Sequence, residues 1–407
     1  MKILINTSSF PNVKNNISGI FILDQINNLV KFYDELSFVV CTPGPTKKNI
    51  LKNKKIKIYN FRYFFSKKYE KIGIKSLTDL ISESKFNYII IFFFVVSQFT
   101  KMISITLKEK PDLLYSHWFT PQALVSHIIS RIFKIPHKIT IHSTDIKIFT
   151  HYFGKVGLII ARKILKSSSG ITVTSRNILK TVDNVLEKNE KEQLNILKFP
   201  MGIDSLNLDL INEDKKILDY IDLEKKYILF IGRLVDKKGL ELLINAFEQF
   251  SKVSEYNLII AGFGHLESKL KQEVKKYGIK SRVVFTGKVN SSQKKSLLQN
   301  SEILIVPSDV VPGGLISEGM PVTILEGLHF GKIVVASVYT NCEDVISNNV
   351  NGFIYKSNNP SVLADKLEKI TNLNPKMLKE IKVNASESSK VYGSKGSSEK
   401  YYNFLKQ

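Results

Sequence analysis

Cysteine is nearly absent from this chain: Cys41 and Cys342 are the only two among 407 residues. Two thiols cannot build a disulfide framework or a four-ligand zinc site. Each is expected as a small buried apolar side chain, in keeping with a reducing cytoplasm. Long apolar runs are missing as well. The longest, residues 88–96, has nine residues where a membrane-spanning helix needs about 20, so no segment is expected to span a bilayer. The opening Met1-Lys-Ile-Leu-Ile-Asn6 is too short for the apolar core of a signal peptide and reads as a first buried strand. Internal repeats and low-complexity tracts are lacking. Carboxylates are scarce in one half only: residues 1–200 hold 31 Lys/Arg against 13 Asp/Glu, and the remainder 28 against 24.

What is present is the pattern of a doubly wound α/β protein. With 43% hydrophobic residues and a length well beyond one core of roughly 150 residues, two domains are expected. Short apolar runs at 2–5, 36–41, 57–59, 112–116, 138–141, 170–174 and 194–199 alternate with amphipathic stretches, as in a parallel sheet covered on both faces. The alternation pauses over polar residues 207–226 and resumes at 227–231, 257–261, 282–286, 302–306 and 332–336. Two Rossmann-like domains, 1–205 and 206–385, follow from this. Between the runs, Asn290 with Gln293 reads as a capping box, and Gly331 as the stop of the helix containing Glu326.

The segment Glu318-Gly-Met-Pro-Val-Thr-Ile-Leu-Glu326 sets two carboxylates around a glycine, a proline and a helix start. Pro321 suits the first helical position, which would leave the amides of Val322, Thr323 and Ile324 free to attract phosphate. Upstream, Gly232-Arg-Leu-Val-Asp-Lys-Lys-Gly239 places Arg233 and Lys238 just after a buried strand. Both segments, in this order, resemble the Glu-x7-Glu and Gly-Arg-Leu…Lys-Gly motifs of family-4 retaining glycosyltransferases. That resemblance implies the GT-B fold, two Rossmann-like domains facing a cleft, with the final helix, 386–407, returning to the N-terminal domain. It also implies transfer of a sugar from a nucleotide diphosphate-sugar donor to a saccharide acceptor. Arg233, with its rigid fork, and Lys238, a mobile point charge, would bind the diphosphate. Glu326 would hold the ribose and Glu318 would orient the donor sugar. Gly262 and Val289 would line the base pocket. No Asp-x-Asp triplet occurs, and with two cations at the diphosphate a site without metal or other cofactor is expected.

In the N-terminal half, Gly19 follows the first strand and resembles the glycine loop that approaches the diphosphate. His117 and His142 each end an apolar run, where doubly wound sheets bind ligands. By resemblance His142 contacts the donor sugar and is grouped with Glu318 as catalytic, while His117 lies on the acceptor side. Asp145 is expected to fix the turn after His142. Two places depart from the family pattern: Tyr339-Thr-Asn-Cys-Glu-Asp344, where only Glu343 matches, and residues 310–317. They bear on donor identity.

Residues 47–75 carry eleven Lys/Arg and a single acid, Glu70, interleaved with Tyr59, Phe61, Tyr63, Phe64, Phe65 and Tyr69. Basic charge with aromatics suits an anionic surface. The expectation is a cytoplasmic enzyme, peripheral on the inner face of the cell membrane, that extends a lipid-linked saccharide of a surface polysaccharide and does not bind nucleic acid. Two other classes compete: a nucleotide-sugar epimerase of the same architecture, and a nucleic-acid-binding protein, which would leave the donor motifs without purpose.

Overall fold

The computed structural model describes residues 1–13, 19–46, 53–73, 77–142, 145–309, 320–356 and 358–407. Glu318, residues 310–317 and parts of the basic stretch, 47–52 and 74–75, lie outside the described residues. The chain divides into two compact units. One is Met1–Met201 with Ser397–Gln407, the other Gly202–Gly396.

In the first unit the strands are β1 (Lys2–Asn6), β2 (Ser37–Pro43), β3 (Ile56–Phe61), β4 (Leu113–His117), β5 (His137–Ile141), β6 (Gly170–Val173) and β7 (Ile196–Lys198). They form one sheet in the order β3-β2-β1-β4-β5-β6-β7, with every neighbouring pair parallel. β1, β4 and β5 are buried almost throughout because helices cover both faces, which is why they read as unbroken apolar runs. Right-handed crossovers put helix Ile20–Phe32, which leads back from β1 to β2, on one face. Helices Asn87–Glu109, Leu124–Phe133 and Asp145–Ser167 run the other way along the sheet and share the opposite face.

Helix Asn87–Glu109 corrects the reading of residues 88–96. Its 23 residues are long and apolar enough to cross a membrane. Ser97, Gln98 and Thr100 interrupt the apolar run in sequence without ending the helix. In this fold one side of it is core: Ile90, Phe94, Met102 and Ile105 are buried, and Gln98 Nε2 donates to Asn6 Oδ1 at 2.9 Å. The aromatics of the basic stretch also split. Phe61 and Tyr63 fill the same core, whereas Phe65 is 87% exposed.

The second unit has β8 (Tyr227–Ile231), β9 (Asn257–Ala261), β10 (Val283–Gly287), β11 (Ile303–Val306), β12 (Ile333–Ser337) and β13 (Phe353–Tyr355). Their order is β10-β9-β8-β11-β12-β13, again all parallel. β13, only three residues long, is too short to show a periodicity and was not anticipated. Each sheet therefore reverses direction once, between β1 and β4 and between β8 and β11. Ligands of such sheets bind outside the carboxyl ends of the strands at that reversal.

Helix Ser394–Lys406 carries the chain back into the first unit. Tyr402 stacks on Tyr33 at 3.7 Å, buried Tyr401 donates to the Pro200 carbonyl at 3.3 Å, and Lys138 Nζ donates to the Phe404 carbonyl. Burial pushes the Lys138 ammonium down to about 8.

Candidate active site

At the reversal of the second sheet, the loop after β8 is fixed by backbone. Gly232 N–H donates to Ala261 O at 3.0 Å, Leu234 N–H to Phe263 O at 2.9 Å, and Gly262 N–H to Gly287 O at 2.9 Å. A side chain at Gly262 would put its Cβ 1.8 Å from Gly232 O, and one at Gly264 would lie 2.1 Å from Leu234 O. These contacts account for both glycines without a ligand. Asp309 N–H donates to Lys237 O at 3.0 Å, joining this loop to the one after β11. On this rigid loop Arg233 is exposed, and among the described residues its guanidinium has no hydrogen bond or ion pair. Lys238 turns back over the glycine, with Cε 3.8 Å from where a Gly232 Cβ would sit.

Helix Val322–His329 follows, and here two expectations change. Pro321 is the N-cap, with ψ 130°, and not the first helical residue. The Ile324 N–H bonds back to Pro321 O at 3.1 Å, a tight first turn. No carbonyl of the helix precedes the amides of Val322 and Thr323, and among the described residues they have no acceptor. Gly327 lets the helix settle on the sheet, since a Cβ there would lie 2.4 Å from Leu304 Cδ2. One step before it, Glu326 is buried, and its Oε1 meets Lys294 Nζ at 2.5 Å. Lys294 was missed in sequence. It stands on helix Ser291–Asn300, whose start is held by the expected Asn290–Gln293 capping box. Oε1 is taken by the lysine, and among the described residues Oε2 has no hydrogen-bond partner.

Gly262 and Val289 sit on neighbouring strand ends, Val289 half-buried against the core. Beside them Phe263 is 47% exposed, with Lys288 Nζ 5.5 Å from its ring centre. A ring offered to solvent at a strand end can stack on a base. Its signal in sequence was an aromatic between two glycines.

The first unit builds its cluster from side chains. Gly19, at φ 67°, caps helix Ile20–Phe32, and a Cβ there would meet Ser9 O at 2.2 Å. The next turn brings Phe21 to 5.2 Å from the His142 ring, and Trp118 lies 4.6 Å from it on the other strand end. Trp118 has φ 74°, a strained value for a bulky residue, tied by its N–H to Thr140 O at 2.9 Å. Asp145 does not brace its own turn only: its Oδ2 accepts the Phe119 N–H, linking the loops after β4 and β5. Burial pushes the Asp145 carboxyl up to about 7.

His117 and His142 stack, with Nδ1 of His117 2.9 Å from Nε2 of His142. His117 is fully buried, which removes it from direct contact with an acceptor. Burial drives the imidazolium form of His142 down to about 3 and that of His117 well below its usual value, so the pair is neutral and shares one proton. Among the described residues the Nε2 of His117 has no partner. A buried orphan donor is costlier than an orphan acceptor, so that nitrogen is unprotonated and His117 Nδ1 is the donor. His142 then accepts at Nε2 and keeps its proton on Nδ1.

Residues 213–388 match the profile of the family described as glycosyl transferases group 1. Over 397 residues the chain is 25% identical to an uncharacterized glycosyltransferase of Methanocaldococcus jannaschii, covering 96% of this chain and 94% of the relative. Over 172 residues it is 31% identical to the alpha-1,4-N-acetyl-D-galactosaminyltransferase of Campylobacter jejuni whose name gives a GalNAc-alpha-(1->4)-GalNAc-alpha-(1->3)-diNAcBac-PP-undecaprenol acceptor, covering 42% of this chain and 45% of that one. The crystal structure of Anabaena HepE in complex with UDP superimposes with a TM-score of 0.74 at 18% identity, covering 100% of both chains. The fold is GT-B.

Proposed function

From the group 1 glycosyltransferase domain that this chain carries at residues 213–388, we propose a retaining, metal-independent glycosyltransferase that extends a lipid-linked saccharide in cell-surface polysaccharide synthesis. One observation carries the donor side: the fixed loop bearing Arg233 and Lys238 and the free amides of Val322 and Thr323 follow β8 and β11, the two strands that flank the sheet reversal. Cations and a helix start together favour a diphosphate. Glu326, held by Lys294, accepts from the ribose hydroxyls through Oε2, and Phe263 stacks on the base. UDP is the first nucleotide to try, because HepE binds it.

In the reaction the acceptor hydroxyl attacks the anomeric carbon on the face the diphosphate leaves. The bond from that carbon to the β-phosphate oxygen breaks, and the departing phosphate takes the acceptor proton. The nucleoside diphosphate leaves carrying the charge that Arg233, Lys238 and the two amides stabilise. His142 donates from Nδ1 to a donor-sugar oxygen, and Glu318 orients the same sugar. The lipid-linked acceptor rests on the Campylobacter relative, whose name carries an undecaprenol-linked one.

Calorimetric titration with UDP, GDP and ADP, each with and without EDTA, tests the donor site. Saturable binding of one diphosphate that survives EDTA is the expected result. No binding of any of the three defeats the reading and brings nucleic acid forward as ligand.

A further inference from the structure

The basic stretch 47–75 is less available than its composition suggests. Lys55 pairs with Asp34 at 2.7 Å, Lys57 with Glu109 at 3.1 Å, Arg62 with Glu70 at 3.4 Å and Lys71 with Glu83 at 3.9 Å. A different surface of the first unit combines free charge with apolar exposure: the outer side of the three helices that share one face of the sheet. Helices Asn87–Glu109 and Leu124–Phe133 bury their inner sides in one core, and Asp145–Ser167 continues the layer. Their outer sides are not closed over. Phe92 and Val96 on the first, Ile128 and Ile132 on the second, and Val156 and Ile159 on the third all stand in solvent, Ile159 at 67%.

The charge on this layer has one sign. Its only carboxylates, Glu109 and Asp145, are buried. Lys101 and Lys108 lean toward β3, 5.6 and 5.5 Å from the Tyr59 ring centre, and Arg131, Lys155 and Lys163 are exposed with no carboxylate partner among the described residues. The opposite face differs, since there helix Ser394–Lys406 packs on Tyr33 and Glu35.

We infer that this three-helix face docks on the surface of an anionic lipid bilayer, with the apolar side chains entering the headgroup boundary and Arg131, Lys155 and Lys163 meeting lipid phosphates. A second copy of the chain would set cation against cation. A nucleic acid could pair with the cations, but most of the exposed apolar side chains named here, Val96, Ile128, Ile132, Val156 and Ile159, are aliphatic and cannot stack on its bases. A bilayer satisfies both kinds of group, with each cation near the surface and each buried methylene adding to the affinity. The inference deepens the lipid-linked acceptor reading by placing the enzyme where such acceptors lie, yet the surface can be tested without turnover.

The test is co-sedimentation of the full chain with vesicles of phosphatidylcholine alone and of phosphatidylcholine with phosphatidylglycerol, at low and high salt. Binding should require the anionic lipid and weaken with salt. Ile132→Glu, Val156→Glu and Ile159→Glu, all at exposed positions, should each lower partitioning by roughly tenfold, and Lys155→Glu or Lys163→Glu by roughly fivefold. Unaltered UDP titration of the same variants shows that they are folded and separates this inference from the donor-site reading. Vesicle binding that the three glutamate variants leave unchanged overturns the inference. So does dimerisation that these variants abolish, or binding to single-stranded oligonucleotides that they abolish while vesicle binding persists.

Discussion

The two units solve the same problem with different materials. In the second, the candidate donor site is framed by main chain: Gly262 and Gly264 bring loop against loop so closely that a methyl group would not fit. In the first, His117, His142, Trp118 and Asp145 do the framing, drawn from two strand ends and their loops. Gly19 and Gly73, whose Cβ atoms would lie 2.2 Å from Ser9 O and 2.5 Å from Ser8 O, are points where the first unit borrows the other device. Backbone framing demands glycine at fixed spacing and tolerates little else. Side-chain framing can be assembled from many residue types, so it leaves a fainter trace.

The hardest blow to the comparison is Gly262→Ala. Its Cβ would lie 1.8 Å from Gly232 O, and the expected loss is at least ~3 kcal/mol, read as a lower denaturant midpoint together with lost UDP binding. A variant as stable as the wild type means that the loop is not framed by backbone. Next come Arg233→Ala and Lys294→Ala. Each should weaken UDP binding by roughly 10–100-fold, the worth of one or two charged hydrogen bonds, with the Arg233 variant unfolding at the wild-type midpoint. Unchanged affinity takes that residue out of the site.

His117 sharpens the other half of the comparison. His117→Leu removes the donor that fixes the His142 proton and should lower kcat about tenfold, with UDP affinity unchanged. His117→Asn, which still donates, should recover much of it. A nitrogen-15 spectrum of the wild type reads the tautomer directly, and a proton on His142 Nε2 contradicts the assignment.

The smallest effect is in pH dependence. Because burial raises the Asp145 carboxyl from its ordinary 3.8 to about 7, the folded chain holds that proton where the unfolded chain releases it. Its contribution is therefore full below about pH 4 and is lost as the pH rises through about 7. Thermal midpoints should show this slope in the wild type and not in Asp145→Asn. Turnover should show no histidine limb near 6.5, because burial keeps His142 neutral down to about 3.

Reading ahead from the residues succeeded where packing dictates composition. Twelve strands announced themselves as apolar runs, and Asn290 with Gln293 announced a cap. The three-residue β13 has no period to read. The Glu326–Lys294 pair spans 32 positions and links two helices, so no local pattern reveals it. His117 could be placed at a strand end but not shown to be buried, since its packing partner His142 stands 25 positions away on another strand end. Likewise, the counter-charges that occupy Lys55, Lys57, Arg62 and Lys71 come partly from distant segments.

The stacking of Tyr402 on Tyr33 and the seat of Tyr401 beneath Pro200 have a consequence for biosynthesis. Residues 397–407 emerge from the ribosome after all of Gly202–Gly396, some 10–40 s behind Met201 at about 5–20 residues per second. The unit that begins first is thus the last to be completed. During that interval Tyr33, Lys138 and the Pro200 carbonyl wait for their partners, and the nascent chain exposes a sticky, half-covered sheet face while its later neighbour is already folding. Chaperone dependence should accordingly track the N-terminal unit, and a stop codon before Ser397 should injure the part of the protein translated first.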